Sequence, residues 1–133
     1  MTLTLTFPDP SHLALVVAAG PITDDDVAGL ERELLARLDR PSRYDLLIDA
    51  TQATPEVAFP ELKRMARRFA GLTRSGLGRV AVVASQDLTY GLARAYSAYA
   101  EQDGLEAGVF RTEREARDWL GGADGGGVSS AVG

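Results

Sequence analysis

Two polar corners in the sequence carry the residue types best suited to chemistry. The apolar run ending in Leu47 and Ile48 closes on Asp49, with hydroxyls following at Thr51 and Thr54. A second run, Val80 to Ala84, closes on Ser85, Gln86 and Asp87, and Tyr90 follows. A carboxylate beside hydroxyls can act as a general base, take hydrogen bonds from a partner, or stand next to a phosphorylated side chain. Structural uses stand beside these. Asp49 can accept hydrogen bonds from loop amides, Thr54 can cap a turn, and Ser85 or Asp87 can cap a helix beginning near Leu88.

Composition removes most other chemistry. The chain has no cysteine and one histidine, so a thiolate nucleophile, a disulfide framework, a Cys-ligated metal and a zinc cluster of histidines are not expected. Asp49 as base with Thr51 or Tyr90 as hydroxyl partner is the least implausible catalytic arrangement. No oxyanion hole or cofactor motif accompanies it, so the expectation is a non-enzymatic protein without cofactor or metal. Neither corner has the glycine spacing of a phosphate-binding loop, and the glycines of "RSGLGR", Arg74 to Arg79, precede a strand and suit a turn. His12 has no second ligand in view and reads as a strand-edge or hairpin residue. A formal net charge of -5 disfavours nucleic acid. No apolar run approaches the roughly 20 residues that span a bilayer, and no basic segment precedes the first hydrophobic stretch. A cytoplasmic protein is expected.

The elements that must position these corners follow from hydrophobic period. At 133 residues and 45% hydrophobic content, the chain suits one domain. "LTLTF" alternates, "PDPS" breaks it, and "HLALVVAAG" begins a second strand, giving a hairpin. Val27, Leu30, Leu34 and Leu38 then recur at helical spacing, with Thr23 and Asp26 as a capping box and Asp24 and Asp25 favouring the helix start. "YDLLIDA" and "GRVAVVAS" read as buried strands ending at the two corners. The helix between them starts near Pro60 after a loose turn, and another runs from Leu88 through Tyr99. "LEAGVF" is a last strand and "TEREARDWLG" a last helix, capped by Thr112 with Glu115. The fold class is α/β: residues 1–121 form one domain with a five-stranded mixed sheet and about four helices, and residues 122–133 form a glycine-rich disordered tail.

Further residues suggest surfaces. Lys63, Arg64, Arg67 and Arg68 are spaced to form a basic interaction face for an acidic partner or an anionic ligand, or an ordinary solvated face. Phe59, Met65, Phe69 and Tyr96 can line a pocket for a small apolar molecule or lipid between helix and sheet. Gly91, Ala95 and Ala98 form a small-residue row that allows close approach of the sheet or of a second copy, as in a homodimer.

The order of elements, with the strings "HLALVVAAGPITDDDVAGLERELL", "YDLLIDA", "GRVAVVAS" and "VFRTEREARDWLG", resembles the SpoIIAA-like branch of the STAS superfamily over Leu5 to Gly121. That resemblance implies a STAS-like fold and a non-catalytic regulatory module that binds a protein partner, here through the loop after the Asp49 strand. In the family's anti-sigma factor antagonists, a serine in the corresponding loop is phosphorylated by a partner kinase. By position Asp49 resembles the acid that opens that loop, and Thr51 stands near its first hydroxyl. The family's Asp-Ser-Gly pattern is absent, and Thr54 before Pro55 is the nearest alternative hydroxyl.

Overall fold

A computed structural model describes residues 2–6, 12–38, 43–56 and 59–122. The chain runs β1 (Thr2–Thr6), β2 (Leu13–Ile22), α1 (Asp24–Arg37), β3 (Tyr44–Pro55), α2 (Phe59–Ala70), β4 (Leu77–Val83), α3 (Asp87–Gln102), β5 (Ala107–Phe110) and α4 (Glu113–Gly122). A short 3-10 turn, Gly71–Ser75, joins α2 to β4 and ends at Gly76, whose φ of 113° suits a residue without a side chain. The sheet is five-stranded, in the order β1-β2-β3-β4-β5, antiparallel between β1 and β2 and parallel elsewhere. The sequence-predicted α/β domain with its mixed sheet is therefore the observed one. The "PDPS" turn and the tail beyond Gly122 lie outside the described residues.

Strand alternation divides the core in two. Ala14, Val16, Leu46, Val80 and Val82 face α1, α2 and α3, where Leu34, Ala66, Phe69 and Ala100 meet them. The intervening residues Leu47, Ala81 and Val83 face the other way and pack with Phe110, Ala116 and Leu120 beneath α4. The apolar runs read as buried strands thus have covers on both faces. On β2 the α4 side is less covered, and Val17 is 46% exposed.

The helix ends form as their sequences dictate. Thr23 precedes α1: the Asp26 amide donates to Thr23 Oγ1 at 3.3 Å, and the Thr23 amide donates to Asp26 Oδ2 at 2.9 Å, completing the capping box. Before α4, the Glu115 amide donates to Thr112 Oγ1 at 3.2 Å. α2 begins at Phe59, so Pro60 lies in a first turn, where a missing amide hydrogen costs little. Substituting Thr23→Ala is expected to lower stability by about 1 kcal/mol in urea unfolding, with the denaturant slope unchanged.

Candidate functional site

The two polar corners lie at the same end of the sheet. Asp49 on β3 pairs with Val83 on β4, so Asp49 and the turn at Ser85, two residues past Val83, lie at the same end of the sheet. The strand does not end at Asp49, as the sequence suggested. It continues through Thr51 and Thr54 to Pro55, paired with β2 out to Ile22. The reason is the length of β2, whose residues Ala19 to Ile22 offer a parallel ladder to Gln52 to Pro55. The segment expected as a recognition loop is therefore the end of a strand, paired with β2 on one side and past the last β4 pair on the other.

That extension contains an irregularity, and Asp49 holds it. The β2–β3 register shifts between Val17 and Ala19, opposite Asp49 and Gln52, which leaves Thr51 out of step. Asp49 Oδ1 accepts from the Thr51 amide at 3.0 Å and from Thr51 Oγ1 at 2.7 Å. The carboxylate thus ties down the main chain where the register shifts, accepting from a nearby amide as foreseen for it. Thr51 Oγ1 is correspondingly engaged, whereas Thr54 is exposed.

The second corner is built differently from the expectation. Gln86 is the residue before α3, and no side chain caps that helix, so neither Ser85 nor Asp87 serves as the cap. Asp87 pairs instead with Arg111, 3.0 Å away on the segment after β5. Arg111 also donates to the Ser85 carbonyl at 2.9 Å and lies 4.0 Å from the centre of the Tyr90 ring. A guanidinium on an aromatic face is attracted by its quadrupole, so one arginine ties Ser85, Asp87 and Tyr90 together. In the same first turn of α3, Leu88 is 69% exposed, an apolar side chain that the sequence reading counted only as a helix position.

Other expected surfaces are rearranged. The basic face is largely paired within the protein: Arg68 donates to Glu31 at 3.0 and 3.3 Å and to Asp24 at 3.0 Å. Arg64 lies 3.7 Å from Asp24, Arg67 lies 3.6 Å from Asp103, and the Lys63 ammonium is 5.9 Å from the Tyr99 ring. The cause is complementary acids on α1 and α3. Hydrogen bonding to Glu31 raises the Arg68 pKa against the opposing effect of burial, with Asp24 adding to the rise. In the small-residue row, Gly91 and Ala98 are exposed, so the sheet is not their neighbour. The ring of His12 lies 5.0 Å from that of Tyr44, just ahead of β2.

An apolar cavity of about 160 Å³ lies on the opposite sheet face from Asp49, under α1, α2 and α3. Met65, Phe69 and Tyr96, all expected as pocket residues, line it together with Ile48, Ala50 and Ala53; the Phe59 side chain lies outside the described ones. Ile22, Ala53, Leu62 and Thr89 set it toward the carboxyl ends of the strands. Burial pushes the Tyr96 hydroxyl well above the ordinary tyrosine range, and nearby Glu31 adds to the shift while Arg68 opposes it. That hydroxyl therefore stays neutral. Among the described residues no cluster of histidine, aspartate or glutamate could hold a metal, and no helix is long and apolar enough to cross a membrane.

The SpoIIAA-like family profile matches residues 14–121, nearly all of this framework. The chain belongs to the SpoIIAA-like family. Its fold is similar to that of an uncharacterized protein of the DUF3478 family from Shewanella loihica PV-4, with a TM-score of 0.57, 19% identity, and 90% of this chain and 92% of that one covered. It is also similar to the anti-sigma factor antagonist SpoIIAA in its unphosphorylated form, with a TM-score of 0.52, 13% identity, and 91% and 99% covered. No curated protein matches this SpoIIAA-like chain. The bulge held by Asp49 yields a direct test of that residue's structural use. Asp49→Ala, which strands the Thr51 amide, is expected to lower stability by about 1–2 kcal/mol in urea unfolding, whereas Asp49→Asn, which keeps an acceptor, retains most of it.

Proposed function

We propose that this SpoIIAA-like chain is a non-enzymatic regulatory module that recognises a partner protein at the carboxyl-end rim of β3 and β4. The observation that carries the reading is the first turn of α3, which presents Leu88 at 69% exposure and, on a different side, Tyr90 with Arg111 at 4.0 Å from its ring centre. Interface hot spots are enriched in tyrosine and arginine, and an exposed leucine in the same helical turn adds apolar area. Asp49, Thr51, Thr54, Ser85 and Asp87, at the same end of the sheet, supply polar groups to the rim. The similarity to an anti-sigma factor antagonist favours a protein partner over a substrate. Capture from native lysate tests this. Leu88→Asp is expected to reduce recovery of a specific partner about tenfold or more at unchanged thermal midpoint, and Arg111→Ala to reduce it alike with a small loss of stability from the contacts it breaks. Undiminished recovery of every specific partner by both variants overturns the proposal.

The cavity favours a second reading, a binding site for a small apolar molecule or one segment of a lipid. The 160 Å³ pocket opens to solvent and is lined almost wholly by apolar side chains, as clefts for small apolar ligands are. An apolar cavity of about that size stays dry and accepts a benzene-sized guest. Native mass spectrometry of the purified chain is expected to show a non-protein adduct that Ala50→Phe, filling the cavity, removes without affecting partner capture. A bare chain mass from several preparations counts against this reading and leaves the rim untouched.

A further inference from the structure

The sheet ends at β5, which has no neighbour on its outer side among the described strands. The Val80 amide donates to the Glu106 carbonyl and the Ala84 amide to the Phe110 carbonyl, so Glu106, Gly108 and Phe110 turn their main chain toward β4. By the alternation of a parallel ladder, the amide and carbonyl groups of Ala107 and Val109 point away from the sheet. No main-chain hydrogen bond from the described residues reaches them.

Beside this edge runs a groove of about 450 Å³, bounded by Tyr90, Arg94, Ser97 and Glu101 on one face of α3 and by Trp119 and Arg79 across from them. Ser97 is only 6% exposed, and its Oγ has no hydrogen-bond partner. Native proteins leave few buried hydroxyls in that state, and this one borders an open groove. The ends of the groove differ in charge. α3 connects two parallel strands and so runs against β5, which sets Glu101 near the start of the strand and Arg94 near its end. Among the described residues neither has an ion pair, whereas Arg79 is held by Glu106 at 2.8 Å.

We propose that the β5 edge binds an extended segment of a partner protein, which joins the sheet as a further strand and sets an acidic side chain against Arg94. Outward amides and carbonyls at alternate residues match the spacing of a peptide main chain. A small anion would satisfy Arg94 and leave the strand edge unpaired. Arg94 at one end and Glu101 at the other orient the segment, and the Ser97 hydroxyl donates to a polar group at its middle. This surface is separate from the Leu88 cluster, although Tyr90 borders both.

Random octapeptides displayed on phage and panned against the full chain are the probe, followed by titration of synthetic enriched peptides with amide NMR. Enriched peptides are expected to carry an acid at one fixed position and to slow exchange of the Ala107 and Val109 amides. Val109→Pro deletes an outward amide hydrogen without touching the ladder to β4, and it is expected to weaken binding tenfold or more. Arg94→Glu is expected to convert the preference at the fixed position from acidic to basic, and it decides the matter alone if the proline variant fails to fold. Leu88→Asp leaves peptide affinity unchanged, so failure here is distinguishable from failure of the rim. No enrichment, or peptides indifferent to both groove variants, overturns the proposal. A chain that dimerises through β5 and excludes peptide replaces the partner segment with a second copy and also overturns it.

Discussion

Crossovers between neighbouring parallel strands are right-handed, and this chain makes three in succession in one direction, from β2 to β5. Their helices must then lie on one face of the sheet. α1, α2 and α3 share the core containing Leu34, Phe69 and Ala100, while α4, which is not a crossover, is free to cover the other side. Because strand order never reverses among the parallel strands, the sheet has no switch point of the kind where doubly wound folds open a ligand crevice. Binding surfaces have to be found elsewhere: at the strand ends, between helices and sheet, or along an edge.

Alternation along β3 keeps those places apart. Ile48 and Ala50 point into the apolar cavity, while Asp49 between them points to the opposite face. A carboxylate and an apolar cavity thus occupy neighbouring positions of one strand without sharing a surface. The bulge after Asp49 lets β3 follow β2 to its end, and the hydrogen bonds at 3.0 and 2.7 Å from Thr51 hold the irregular step. α3 touches the rim, the cavity and the groove. Its first turn carries Leu88, its inward face closes the cavity through Tyr96, and a third face borders the β5 groove through Ser97.

The order and type of the elements are legible in the sequence because the apolar period changes sharply between strand and helix, and because Thr23 and Thr112 mark helix starts with partners three residues on. Met65, Phe69 and Tyr96 are legible as pocket residues for the same reason of helical spacing. The second half of β3 is not. "TQATP" contains one buried apolar residue, Ala53, and its pairing depends on a partner strand some thirty residues earlier. Arg68 reads as part of a basic face because Glu31 and Asp24 are distant in the chain, and only packing of α1 on α2 brings them to 3.0 Å. The Arg111 cluster is hidden likewise, since the cation comes from after β5 and the groups it binds from after β4. Ser97 gives no signal at all: a serine in a helix looks ordinary until its hydroxyl is found buried.

The spatial order of the strands is also their order in the chain. Each strand that leaves the ribosome therefore meets the one made just before it, and no gap is held open for a latecomer from a distant part of the sequence. Growth of the sheet can follow synthesis from one side to the other, with little loop closure to wait for and few chances of pairing with the wrong neighbour. The last strand to arrive is the newest boundary of the sheet.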